Sequence, residues 1–108
     1  MEDITLKKLT DIILEQAKRK GFGTKRSEIN AMEKIALIHS EISEAGEAYR
    51  HKNLKGSDGL AGELASTVIR ILHLAGCYNI DLEKEIIKKI KRNEKRKWDW
   101  KKLNETHS

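Results

Sequence analysis

Residues 33–50 read EKIALIHSEISEAGEAYR. At about 100° per residue, Ile35, Ile38, Ile42, Ala45 and Tyr49 fall on one stripe of a helix, and Leu37, Glu41, Glu44 and Ala48 fall on the stripe beside it. A surface helix sets its acids opposite its apolar face. Here two carboxylates share a stripe with Leu37 and Ala48 and so border the core, where they are partly desolvated and need a cation or a proton to be tolerated. Glu41 and Glu44, three residues apart, point the same way. Glu47 lies further round and is a weaker third candidate.

The next helical stretch repeats the theme with one member missing. Leu60, Leu64, Ala65, Val68, Ile69, Ile71, Leu72, Leu74 and Ala75 cover a wide apolar arc, and the narrow remainder carries Glu63, Ser66, Arg70, His73 and Cys77. A helix apolar over so much of its surface is covered on several sides, by its own bundle or by a second subunit. One polar seam on such a helix is where a site would lie. Glu63 would pair with a second acid three residues on, but Ser66 stands there. Acid pairs facing each other across a bundle make a cage of oxygen ligands for a hard divalent cation, and this cage is one charge short.

The flanking segments complete an all-α chain. Residues 3–20 place Ile4, Leu6, Leu9, Ile12, Ile13 and Ala17 on an apolar stripe that Gly21-Phe22-Gly23 ends. Asn30 with Glu33 has the form of a capping box for the second helix, with Ser27 as an alternative start, and that helix is expected to run to about His51. Residues 53–59, rich in Lys, Gly, Ser and Asp, read as a turn into a third helix over 60–77. Asp81 offers an N-cap for a fourth helix, with Glu83 and Glu85 at its positive end, continuing to about Arg96. Four helices with short connections predict an antiparallel four-helix bundle, a single domain over 1–108.

Composition narrows the setting. Charged residues make up 36% and aromatics 5%, and proline is absent, which suits a helical chain with a Lys- and Glu-laced surface. The single Cys77 cannot close an intramolecular disulfide and reads as a small hydrophobe. No apolar run resembles a signal peptide or reaches the length of a membrane span, so a soluble, cytoplasmic protein with no membrane partner is expected. The net charge of +5 is uneven, because residues 88–102 hold nine Lys or Arg against two acids. An anionic partner such as phosphate is implied. Lys89, Asn93 and Arg96 fall in one sector of the fourth helix beside Ile86, where two cations and an amide can grip phosphate oxygens.

Taken together, the 33–50 stretch, Glu63-Leu64-Ala65, Val68 to Leu72, Ile80 to Glu83 and Lys89 to Trp98 resemble the MazG-like all-α nucleoside triphosphate pyrophosphohydrolases over about residues 30–98. The resemblance implies Mg²⁺, with Mn²⁺ as an alternative, held by Glu41, Glu44 and Glu63, and substrate phosphates contacted by Lys89, Asn93 and Arg96. It also implies hydrolysis of (d)NTPs to a nucleoside monophosphate and pyrophosphate by a homodimer or homotetramer. The departures are Ser66, at the position of the family's metal-binding Asp, and His73, where relatives often carry an acid; Asp58 or Glu47 could compensate. A degenerate nucleotide-binding protein without catalysis is the alternative. A basic helical module that stacks nucleic acid on Trp98 and Trp100 is the least favoured reading. His39 and His73 read as polar neighbours of the seam, since no two histidines share ligand spacing on one helix.

Overall fold

A computed structural model describes residues 3–96, and every described segment of regular structure is helical. The helices are α1 (Leu6–Lys20), α2 (Ala31–Arg50), α3 (Leu60–Cys77) and α4 (Leu82–Lys95), with a short 3-10 turn at Arg26–Glu28. The basic tail 97–108, with Trp98 and Trp100, lies outside the described residues.

Local chemistry sets each boundary. Thr5 adopts an extended backbone and its side chain accepts the amide of Lys8, so α1 begins three residues later than the apolar pattern suggests. Gly21 takes the left-handed conformation at φ 73°, and the amide of Phe22 closes back on the carbonyl of Ala17 at 2.9 Å, ending α1 in a Schellman-type turn. Asn30, not Ser27, opens α2: its side-chain oxygen accepts the amide of Glu33 at 3.0 Å, while Ser27 is taken up in the 3-10 turn. Asp81 caps α4 by accepting the amide of Lys84 at 3.1 Å.

The centre of the arrangement is α3, which packs against α2 on one side and α1 on the other, while α4 rests on α1. The Glu83 carboxylate ties α4 to the start of α1 by accepting the amide of Leu6 at 3.0 Å. Among the described residues the buried apolar side chains are mostly small, comprising Ala17, Ala45, Ala48, Ala75 and Cys77 around Leu72. Small residues let helix axes approach closely: a Cβ added to Gly76 would lie 2.9 Å from both Leu14 Cδ1 and Thr10 Cγ2 of α1. Length and apolarity alone would let α3 cross a membrane. Its seam carries Glu63, Arg70 and His73, and the core helix of a bundle has the same signature.

The turn between α2 and α3 folds over the first turn of α3. Leu60 and Ala61 donate their amides to the carbonyls of Asn53 (2.9 Å) and Leu54 (3.3 Å), so the loop satisfies helix donors that have no side-chain cap at Gly59. Gly62 lies beneath it, where an added Cβ would come within 2.3 Å of the carbonyl oxygen of Ser57. We expect Gly62→Ala to destabilise the chain by about 1–3 kcal/mol, because backbone must move. Gly46→Ala, mid-helix with nothing within 4 Å, should stabilise it by about 0.5–1 kcal/mol. Denaturant unfolding of the two variants checks both signs.

Candidate metal centre

Two elements bring three carboxylates to one place. Helix α2 presents Glu41 and Glu44 from consecutive turns, and α3 presents Glu63 from its first turn, where the amide of Glu63 bonds the carbonyl of Gly59 at 2.9 Å. One carboxylate oxygen from each of Glu41, Glu44 and Glu63 lies within 4.8 Å of the others. Their environments differ: Glu63 is 8% exposed, the Glu41 side chain 15% exposed, and Glu44 open to solvent.

Such a cluster is electrostatically unfavourable without a proton or a cation. Glu63 Oε2 is buried and has no hydrogen-bond partner among the described residues. Proximity to the Glu44 carboxyl, then burial, then proximity to Glu41 push the Glu63 carboxyl from its ordinary value of 4.5 up to about 7. An orphaned buried oxygen beside two more carboxylates fits a hard cation, which would supply the missing charge and take oxygen ligands. A carboxyl raised in this way holds a proton more readily than a free one, which lessens the repulsion in the protein alone.

Two cavities are each lined by members of the cluster. A groove of about 470 Å³ between α1, α2 and α3 includes Glu41, Ser66, Arg70, His73 and Lys34 in its lining, with Phe22 at its rim, 57% exposed. A second cavity of about 450 Å³, on the side of the α2–α3 turn, is lined by Glu44, Glu63, Glu47 and Asp58 among others. Ser66 therefore faces the groove shared with Glu41, where Arg70 donates from Nε to Glu41 Oε1 at 3.0 Å. A cation from α3 thus binds one flank of the cluster on the side where the second acid of the pair is missing.

The rest of the seam is structural. A carbonyl only accepts, so His73 holds its proton on Nε2 and donates to Gly23 O at 2.8 Å, pinning the loop after α1. Cys77 sits against the same carbonyl at 3.8 Å, and burial pushes its thiol up. His39 is exposed. Glu47 is also exposed, and pairs with Arg50 and with His51 Nε2 at 3.5 Å.

Lys89 and Asn93 are exposed on α4 and Arg96 is exposed at its C-cap, and neither cavity at the cluster is lined by α4. Within one chain they are not brought to the carboxylates. The cations that are brought there are Arg70 and Lys34. The sequence contained a signal for Lys34, which lies seven residues before Glu41 and hence on the same stripe of α2. Gln16 and Phe22, which give α1 and its following loop a share in the groove, carry no comparable signal. Comparison with family models, with curated proteins and with solved structures finds no match.

The sign of the pH dependence follows from Glu63. Its folded-state value near 7 exceeds the ordinary 4.5, so between those values the folded chain holds a proton that the unfolded chain has released. Stability from this group is present at low pH and is lost as pH rises through about 7. In EDTA, Glu63→Gln should therefore melt above the parent at pH 8 and show a smaller loss of Tm between pH 5 and pH 8. Parallel melting curves for parent and variant across that range would contradict the assignment.

Proposed function

We propose that the chain hydrolyses (d)NTPs to a nucleoside monophosphate and pyrophosphate, with Glu41, Glu44 and Glu63 holding Mg²⁺ or Mn²⁺. The observation that carries this reading is the convergence of the three acids singled out in the sequence, with a buried and unpartnered oxygen among them. The resemblance of residues 30–98 to the MazG-like pyrophosphohydrolases supplies the substrate class. When bound, the cation supplies Lewis acidity toward phosphate oxygens and makes water more acidic.

The chain's own residues divide the remaining tasks. Glu44, the most exposed of the three acids, accepts the proton of the attacking water on a carboxylate oxygen. Arg70 and Lys34 line the groove beside Glu41 and oppose the charge of the phosphates. Arg70 is tied to Glu41 through Nε alone, which leaves its Nη groups for a second, planar contact. Lys89, Asn93 and Arg96 contribute to phosphate binding from a second copy, in the homodimer or homotetramer that the resemblance implies. Uncovered apolar side chains favour such an assembly: Leu64, Val68 and Ile69 on α3 and Ile86, Ile87 and Ile90 on α4 are each at least 40% exposed. A stable monomer in sedimentation at micromolar concentration would remove this last element.

A second reading, in which the chain binds nucleotide without hydrolysing it, is favoured by one observation. Ser66 is neutral, and Arg70 holds Glu41 at 3.0 Å, so the cluster carries less negative charge than a complete cage. Pyrophosphate release across a panel of NTPs and dNTPs with Mg²⁺ or Mn²⁺ separates the two. Under the hydrolytic reading, Glu41→Gln lowers kcat/KM by at least about a hundredfold, about 2.7 kcal/mol of transition-state stabilisation, with helicity unchanged. Under the binding reading, calorimetry detects nucleotide uptake while the parent releases no pyrophosphate, and Ser66→Asp gains turnover.

A further inference from the structure

We propose that Asp58, from the turn between α2 and α3, supplies the fourth carboxylate of the cation site in place of Ser66. This rests on the cation-binding reading of Glu41, Glu44 and Glu63 given above. It concerns where the site's charge comes from, not what the site does.

The two cavities decide which side of the cluster a fourth ligand can serve. Ser66 lies on the groove side, where Arg70 already occupies Glu41. Glu44 and Glu63 both open onto the other cavity, and Asp58 and Glu47 complete its acidic wall. Glu63 is more than nine-tenths buried and its Oε2 lacks any partner among the described residues. A buried acceptor of that kind marks a place for a cation on the side where its neighbours are carboxylates.

Of the two acids on that wall, Asp58 is the one with a carboxylate to give. Glu47 Oε1 is paired with Arg50, and its Oε2 lies 3.5 Å from His51 Nε2, an ion pair when that imidazole is protonated. The Asp58 carboxylate has no hydrogen bond or ion pair to another described residue, whereas its backbone carbonyl accepts Asn53 Nδ2 at 3.4 Å. The turn is anchored at both ends, by Asn53 N on Ala48 O and Leu60 N on Asn53 O, each at 2.9 Å. A Cβ on Gly59 would lie 2.3 Å from the carbonyl oxygen of Lys55, so this turn is closely folded. Hydrogen bonds of its neighbours in the turn and that of Asn53 to its carbonyl hold Asp58 on the cavity wall, outside the 4.8 Å grouping of the three Glu carboxylates, and its side chain is left over to reach a ligand.

The test is Mn²⁺ binding to the full chain, read by the loss of the free-ion EPR signal, with pyrophosphate release measured alongside. Asp58→Asn and Asp58→Ala should each weaken Mn²⁺ by about tenfold or more, while Ser66→Ala and Glu47→Gln stay within about threefold of the parent; circular dichroism should show all four folded. Asp58 variants that bind Mn²⁺ like the parent, or a Ser66→Ala loss as large as theirs, would overturn the proposal. If Mn²⁺ binding depends on Glu44 and Glu63 but not on Asp58, the three-carboxylate site survives and only the fourth ligand is wrong. If the parent takes up no Mn²⁺ at millimolar concentration, both readings fall.

Discussion

Glu63 carries its carboxyl into the protein interior with one oxygen unpartnered among the described residues, next to two more carboxylates from the facing helix. No described residue bonds that oxygen, and Arg70 reaches Glu41 instead. Three like charges brought within 4.8 Å of one another cost free energy unless a proton or a cation joins them. Much of the remaining structure holds that arrangement in place. The turn over residues 53–59 caps the start of α3 and orients Glu63, and the glycines at 59 and 62 let the loop lie directly on the helix.

The packing of α3 explains how a small chain sustains such a site. Its contacts to α1 and α2 run through alanine, glycine and one fully buried leucine, so the backbones approach closely and little volume separates the helices. Close approach of α2 and α3 is what brings Glu63 to Glu41 and Glu44. The same economy leaves large apolar side chains on α3 and α4 uncovered within one chain.

The seam on α3 divides by function along its length. Near the N-terminus Glu63 belongs to the carboxylate cluster; at the centre Ser66 and Arg70 face the groove with Lys34; near the C-terminus His73 and Cys77 hold the loop after α1 by the carbonyl of Gly23. Ser66 and His73 therefore have two different local roles. Ser66 leaves one side of the cluster to Arg70. His73 gives the chain a hydrogen bond that fastens the rim of the groove.

Helix existence, the caps at Asn30 and Asp81, and the shared face of Glu41 and Glu44 were legible in the sequence, because helical periodicity and capping chemistry act over three or four residues; that Glu63 meets them was an expectation from pairing two helices in a bundle. The start of α1 at Leu6 was less so, since Thr5 competes for the cap with an apolar pattern that begins earlier. Tertiary structure alone decided which residues share a cavity. Lys34, Gln16 and Phe22 meet Arg70 across three elements, and Asp58 comes to the wall of Glu63 through main-chain bonds of a turn. It also set Lys89, Asn93 and Arg96 away from the cavities at the cluster within one chain, because α4 packs chiefly on α1. Periodicity tells which face of a helix is apolar, but the identity of the helix it packs against depends on the summed burial and loop geometry of the whole chain.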